Sequence, residues 1–148
     1  MKAAVRIVVF LHIFIGIGAC AGGLGAILDP AAPMGAPAEM LRHSPFRTFL
    51  IPGLFLFVVL GIGNLLSYLI SRFFKETRGY LACVMGLILC LWLIIQCIFI
   101  RGVAALHIIF FVIGIVQGGA GCLVLFFSRQ FPYYDVLYFF KRRQDKKR

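Results

Sequence analysis

Acidic residues are scarce in this sequence, and their positions exclude several classes of membrane function. Only five of the 148 residues are Asp or Glu, and none of them lies deep within a long apolar run. Proton-coupled carriers and multidrug pumps usually depend on a carboxylate inside the membrane. Hydrolysis by paired carboxylates needs two such groups at one site. The sequence therefore supports neither mechanism.

Motifs for metal, cofactor and nucleophile chemistry are also missing. The odd number of cysteines, all in apolar runs and without a Cys-x-x-Cys pair, predicts neither a disulfide framework nor a zinc site. These cysteines are Cys20, Cys83, Cys90, Cys97 and Cys122. There is no phosphate-binding loop, His-Glu-x-x-His motif or nucleophile elbow. We therefore predict no catalytic residue, no metal and no cofactor, and an enzyme is the less expected class.

Apolar residues dominate what the sequence does contain. They make up 62% of the chain, with a mean hydropathy of +1.01. They form four runs that are long enough to cross the roughly 30 Å hydrocarbon core of a bilayer as helices. The predicted spans are residues 5–28, 49–71, 79–100 and 104–127. The prediction is one all-α domain, an integral membrane four-helix bundle with up-down-up-down order.

The basic residues predict the orientation of this bundle. Twelve of the fifteen Lys and Arg residues fall on the side that holds both chain ends, and Arg42, Arg47 and Arg101 fall on the other side. By the positive-inside rule, both termini are cytoplasmic. The net charge of +10 does not predict nucleic-acid binding, because the basic residues flank apolar spans and do not form one polar face. The lipid bilayer is the expected partner.

The C-terminal tail, residues 128–148, combines aromatic residues with a basic cluster at its end. Aromatic residues are typical of the headgroup boundary. The cluster from Lys141 to Arg148 favours contact with anionic lipids of the inner leaflet. The alternative is a solvated tail that only enforces the topology.

The segment before the second span contains a candidate helix start. Ser44 followed by Pro45 is typical of an N-cap with proline in the first turn, so the helix is expected to begin near Pro45. Pro52 would then lie about two turns into the helix and is predicted to bend it. Residues 38–43 are a candidate short interfacial helix.

Small residues predict close helix packing. Gly18 and Gly22 in span one, and Gly114 and Gly118 in span four, are four residues apart, a spacing that lets helices approach closely in lipid. The cysteines of span three recur every seven residues, which predicts a packing seam, with a redox or metal-binding stripe as the alternative. No internal repeat is expected between the two halves, so the inverted-repeat design of many transporters has no support.

Three polar residues are predicted to lie at one depth. His12, Asn64 and Gln117 each fall about seven to ten residues from the cytoplasmic end of their span, roughly 10–15 Å from that surface. They are candidates for one polar node. The node would either bind a solute or consist of ordinary interhelical hydrogen bonds, each worth about 0.6 kcal/mol.

A second polar group is predicted near the opposite surface. Gln96, Arg101 and His107 lie at the junction of spans three and four, and Asp29 ends span one at the same level. Arg101 and Asp29 are candidates for an ion pair, and an exposed His107 would titrate near neutral pH. The four are candidate binding residues of an outward-facing pocket, with simple headgroup contacts as the alternative. Trp92, in the middle of span three, is expected to pack within the bundle.

Part of the sequence resembles a known group of proteins. The segment from Ser44 to Leu56, the run from Gly61 to Leu65, and Trp92 with Gln96 are similar to small bacterial four-span membrane proteins of unknown function. The resemblance covers nearly the whole chain except the basic tail. It implies a location in the bacterial inner membrane and the same four-span plan, but no activity and no site residues.

Three functional classes are compatible with these observations. The favoured class is a small accessory or scaffold protein that forms a homo-oligomer or joins a larger membrane complex. The second is a carrier or channel for a small solute, lined by the level of His12, Asn64 and Gln117. The third is a lipid-binding protein or membrane enzyme that uses the group around Arg101 and His107.

Overall fold

The structure, a computed structural model, describes residues 1–128 and consists of four long helices. Helix α1 spans Lys2–Leu28, α2 spans Leu50–Phe73, α3 spans Arg78–Ile100 and α4 spans Ala105–Phe127. Each is long and apolar enough to cross a membrane. The all-α prediction is confirmed, and the predicted span limits agree with the helix limits to within three residues. The predicted lipid contacts of the tail fall on residues outside the described part.

The bundle has two ends, which differ in the chain segments they carry. The terminal end holds the start of α1, the end of α4 and the short connection between α2 and α3. The loop end holds the long connection between α1 and α2 and the turn at Arg101 that joins α3 to α4. In the long connection, Pro33–Gly35 and Ala38–Leu41 form 3-10 turns. The helix expected over residues 38–43 is therefore only one such turn.

Large apolar side chains cover the outside of the helices. Phe10, Ile17, Leu87 and Ile98 are each at least 60% exposed. A helix on the surface of a water-soluble bundle would place polar residues on this face. Lipid is the solvent in which such a surface is stable.

The four helices pack as two antiparallel hairpins, α1 with α2 and α3 with α4. The hairpins meet where α1 packs against α4 and α2 packs against α3. Bulky apolar side chains fill most of this interface. Its buried core consists of Leu11, Ile15, Ala19, Leu60, Met85, Leu89, Trp92 and Leu93.

Glycines bring α1 and α2 together. A Cβ atom at Gly23 would lie 2.6 Å from Phe57 N and 2.8 Å from Gly53 O. One at Gly16 would lie 2.7 Å from Leu65 Cδ2 and 3.3 Å from Gly61 O. No real side chain approaches a backbone as closely as the Gly23 contacts require, so glycine is what allows the helices to meet here.

The second hairpin repeats these contacts at equivalent positions. Gly79 corresponds to Gly16 and meets the side chain of Leu125, and Gly86 corresponds to Gly23 and meets Gly114 O. Residues 16–23 and 79–86 both read Gly-x-x-Ala-Cys-x-x-Gly. The expectation that no repeat relates the two halves is wrong. The two hairpins share the same glycine contacts in the same orientation. The repeat is hard to see in the sequence because only a few positions are common to both halves.

Helix α2 accommodates one extra residue in this seam. Gly53 and Gly61 are eight residues apart, whereas the corresponding glycines of the other three helices are seven apart. Between them, Leu56–Ile62 form a π-helical segment. A π-helical turn absorbs an inserted residue within an α-helix. Both glycines therefore remain on the face of α2 that meets α1.

The predicted bend of α2 at Pro52 is wrong, because the helix begins later than expected. The helix begins at Leu50 and not near Pro45. The hydroxyl of Ser44 instead donates to Leu41 O at 2.8 Å in the preceding loop. Pro52 consequently lies in the first turn, where its missing N–H removes no helical hydrogen bond. The irregularity of α2 is the π-helical segment that follows.

The two glycine seams lie in opposite halves of the bundle. Gly23 is close to the loop end of α1, whereas Gly79 begins α3 at the terminal end. After Gly86, helix α3 has no further glycine, and α4 has none before Gly114. Side chains therefore hold α3 and α4 apart at the loop end, and this is where the candidate site forms.

Candidate functional site

His12, Asn64 and Gln117 meet in one buried node, as their depths predicted. Asn64 Oδ1 lies 2.9 Å from His12 Nδ1 and accepts a hydrogen bond from Gln117 Nε2 at 2.8 Å. Asn64 Nδ2 donates to Leu60 O at 2.8 Å. A hydrogen bond from His12 to the amide oxygen needs the proton on Nδ1, whereas Gln117 Nε2, a donor, also lies 3.1 Å from Nδ1 and would need this nitrogen unprotonated. The node thus links α1, α2 and α4.

The node is closed and leaves two acceptors unsatisfied. All three residues are 0% exposed. His12 Nε2 and Gln117 Oε1 have no hydrogen-bond partner in the described part of the chain. An unsatisfied buried polar atom costs about 1–3 kcal/mol. Because the node is closed to solvent, it has the character of a structural contact between helices, in which these two polar atoms remain without a hydrogen bond.

A cavity of about 280 Å³ lies between the node and the loop end, and all four helices line it. Its volume is just below the roughly 300–1,000 Å³ typical of ligand pockets. Most of its wall is apolar, and only three lining residues carry polar side-chain groups: Trp92, Gln96 and His107. We refer to it below as the inner cavity.

Trp92 lines the inner cavity and has a buried N–H without a hydrogen-bond partner in the described residues. Its side chain is 7% exposed, and its ring stacks on Phe55 with centroids 4.2 Å apart. The indole N–H is buried and has no partner in residues 1–128. Tryptophan N–H groups usually find a partner when buried. The prediction that Trp92 packs within the bundle is confirmed, but the residue also offers an unused hydrogen-bond donor.

His107 supplies a second donor at the loop-end side of the inner cavity. Its Nδ1 atom accepts a hydrogen bond from Ala104 N–H at 3.2 Å. In the neutral ring, the proton is then on Nε2. Together with the Trp92 N–H and the half-buried amide of Gln96, this gives an apolar cavity with donors for a ligand that carries an acceptor such as a carbonyl.

The structure separates the four residues predicted to form an outward-facing pocket. Gln96 and His107 line the inner cavity, but Arg101 and Asp29 do not. Asp29 accepts a hydrogen bond from Ala32 N–H at 3.1 Å in the loop after α1. Arg101 lines a different recess. The structure therefore places Arg101 and Asp29 in different surroundings and not in the predicted ion pair.

The recess at Arg101 is basic and lies at the loop end. It has a volume of about 330 Å³, and its charged or titratable lining residues are Glu39, Arg42, His43 and Arg101. Arg42 Nε donates to His43 Nε2 at 3.4 Å. Partial desolvation, and then the charges of Arg101 and Arg42, lower the pKa of His43 below its ordinary value of 6.5. We refer to this region as the basic recess. No local pattern in the sequence indicated that Arg42 and His43 would lie beside Arg101.

An open groove runs between α3 and α4 on the outside of the bundle. It has a volume of about 400 Å³, and its wall includes Leu93, Ile94, Cys97, His107 and Phe111. Leu93 and His107 also line the inner cavity. These two side chains therefore separate the groove from the inner cavity.

The cysteines of α3 act as packing residues toward α4. Cys83 Sγ lies 3.5 Å from Gly118 O and 3.5 Å from Cys122 Sγ, and Cys90 Sγ lies 3.7 Å from Phe111 O. This confirms the predicted seam for Cys83 and Cys90, whereas Cys97 lines the open groove. Within residues 1–128, no three His, Cys, Asp or Glu side chains are grouped to hold a metal ion.

Comparisons with known protein families, with curated proteins and with solved structures find no match to this chain. The resemblance to small bacterial four-span proteins therefore stays an expectation. The site has to be interpreted from its own geometry.

Proposed function

We propose that this chain is a multi-pass protein of the bacterial inner membrane that binds an apolar membrane molecule in its inner cavity. The proposal rests on one observation above all: four helices line an apolar cavity, and one of the lining residues is Trp92, whose N–H is buried without a partner in residues 1–128. A ligand with an apolar body would fill this space, with or without an acceptor for that N–H. The absence of a deep carboxylate favours binding without catalysis.

The proposed topology places both termini in the cytoplasm. Twelve of the fifteen basic residues belong to the terminal end or follow it in sequence, which the positive-inside rule assigns to the cytoplasmic side. The loop end then faces the periplasm. The inner cavity would be reached from the outer half of the bilayer.

The accessory or scaffold role is less well supported than lipid binding. Its main support is the small-residue faces, as surfaces for a partner. Gly23 and Gly114 are occupied by contacts inside the two hairpins, whereas Gly18 and Gly118 have no atom within 4 Å of an added Cβ. Association with itself or with a larger complex stays a prediction.

The carrier role has no lining to support it. His12, Asn64 and Gln117 are fully buried, and the three cavities described above for residues 1–128 do not reach them. A pore would need these groups to face water.

The fluorescence of Trp92 tests the proposal, because it is the chain's one tryptophan. The purified protein in detergent is titrated with phospholipid whose acyl chains carry bromine, a short-range quencher. We expect saturable quenching that excess unbrominated lipid reverses. Replacing Gly18, which lines the inner cavity and has no atom within 4 Å of an added Cβ, by Leu should occupy the cavity and abolish the saturable component.

Gly119→Leu is the matched control. Gly119 also has no atom within 4 Å of an added Cβ and is exposed like Gly18, but it does not line the inner cavity. This variant should quench like the wild type. Equal saturable quenching in the Gly18→Leu variant would show that the lipid contacts only the outer surface, and it would refute the cavity as the binding site.

A further inference from the structure

We propose that the molecule bound is an anionic phospholipid of the loop-end leaflet, with its phosphate in the basic recess and one acyl chain in the groove between α3 and α4. This inference rests on the proposed function and specifies its ligand. Three separate features carry it: the charges of the basic recess, the alignment of the recess with the groove, and the wall that the groove shares with the inner cavity.

The basic recess has the charge that a phosphate group requires. Arg42 and Arg101 face it from two different chain segments, the long connection and the end of α3. Arginine guanidinium groups bind phosphate through paired hydrogen bonds and remain charged at all relevant pH values. His43 adds a ring that can donate a further hydrogen bond. Glu39 is the one carboxylate among the lining residues, so the two arginines leave the recess with a net positive charge.

Lining residues of the groove and of the recess follow one another along one face of α3. Residues three, four and seven apart share a face of a helix, and Leu93, Cys97 and Ile100 follow this spacing. Leu93 and Cys97 line the groove, whereas Ile100 lines the recess together with Arg101. A lipid with its phosphate at Arg101 would therefore find an apolar surface directly beneath it.

The depth of the inner cavity matches the reach of an acyl chain. Trp92 is nine residues before Arg101 in α3, about 13–14 Å along the helix axis. Half of the hydrocarbon core is roughly 15 Å thick. A chain that starts at the headgroup level thus ends at the level of Trp92. Leu93 and His107, which lie on both the groove and the inner cavity, are the side chains past which it would enter.

The net charge of the recess favours an anionic over a zwitterionic headgroup. Two arginines face one carboxylate, so a headgroup with a single negative charge neutralises the excess. A phosphatidylethanolamine headgroup would satisfy the arginines and place its ammonium group near Glu39. The two chemistries are distinguished by comparing lipids that share the same acyl chains.

Trp92 quenching by brominated lipids with different headgroups tests this inference. Phosphatidylglycerol, phosphatidylcholine and phosphatidylethanolamine with identical brominated chains are titrated separately into the wild-type chain in detergent. We expect phosphatidylglycerol to bind most tightly. The double variant Arg42→Gln/Arg101→Gln should weaken its binding about twenty- to thirtyfold, because each basic residue near an anionic lipid contributes about a fivefold effect. Binding of phosphatidylcholine should change much less.

Arg47→Gln is the matched control, since Arg47 is exposed in the same connection but does not line the recess. Its affinity for phosphatidylglycerol should equal that of the wild type. If Arg47→Gln weakens binding as much as the double variant, diffuse charge explains the preference and the recess is not the headgroup site. If the three headgroups quench equally, the inference is wrong but the inner cavity stands. The complete absence of saturable quenching would instead refute the proposed function itself.

Discussion

Asn64 Oδ1 is the atom on which the buried node depends, because both His12 and Gln117 lie within hydrogen-bond distance of it. A buried acceptor that loses its donor pays its full desolvation cost, whereas an amide without a fixed partner can be replaced at little cost. Gln117 and Gln96 represent these two situations in one bundle. The first is fully buried in the node, and the second is half-buried in the cavity wall.

We expect Gln117→Leu to lower the free energy of unfolding by about 1 kcal/mol, the net value of the hydrogen bond that is lost, since Asn64 Oδ1 keeps its contact with His12. Gln96→Leu makes the same chemical change and should stay within about 0.5 kcal/mol of the wild type. Unfolding in detergent, followed by circular dichroism, measures both. Equal stability of the two variants would mean that the node does not hold α4 against α1 and α2.

At the scale of elements, the chain uses one hairpin design twice with a single irregularity. The π-helical segment Leu56–Ile62 keeps Gly53 and Gly61 on one face although they are eight residues apart. An α-helix presents the same face again after seven residues, or two turns. Helix α4 has that spacing between Gly114 and Gly121 and needs no such segment.

Deleting Val58 should therefore be tolerated. The deletion converts the π-helical segment into regular α-helix in which the two glycines are seven residues apart, and we expect the unfolding free energy to change by less than about 1 kcal/mol. Deleting Val116 from α4 should abolish folding, because it rotates Gly114 away from Gly86 by about 100°. Both valines are about half exposed, so the two deletions remove a similar amount of packing.

Size-exclusion chromatography and circular dichroism of both deletion variants in detergent distinguish these outcomes. Aggregation of the Val58 deletion together with a folded Val116 deletion would contradict the assignment of the extra residue to α2. It would also weaken the equivalence of the two hairpins.

At the scale of the whole molecule, the stagger of the two hairpins produces the site. The seam of α1 and α2 closes the loop-end half, and the seam of α3 and α4 closes the terminal half. In the terminal half, α1 packs instead on the second hairpin, where Ala4 and Val8 meet Ala82, Ala120 and Val124. The loop-end half between α3 and α4 has no equivalent closure, and the groove and the inner cavity lie there.

The proposed orientation is tested by single cysteines introduced at Thr48 in the long connection and at Gln144 in the tail. In bacterial spheroplasts, a membrane-impermeant maleimide should label Thr48→Cys but should label Gln144→Cys only after permeabilisation. The wild-type chain reports any background from its five native cysteines. Labelling of Gln144→Cys in intact spheroplasts would reverse the topology and would move the basic recess to the cytoplasmic leaflet.

The sequence alone determined the number of helices, their limits and the common depth of His12, Asn64 and Gln117. These follow from length and composition, since a helix that satisfies its own backbone in lipid needs about 20 apolar residues and rises 1.5 Å per residue. The tail was predicted from the same composition but lies outside the described residues.

Only the tertiary structure decided which faces of the helices meet. In a chain apolar on all sides, hydropathy does not distinguish a lipid-facing residue from one that faces a neighbouring helix. The rotation of each helix, set by glycine contacts, placed Trp92 at a cavity and left Cys97 in an open groove. The folding of the long connection placed Arg42 beside Arg101 and left Asp29 elsewhere. These pairings depend on contacts between residues distant in sequence, and no local pattern encodes them.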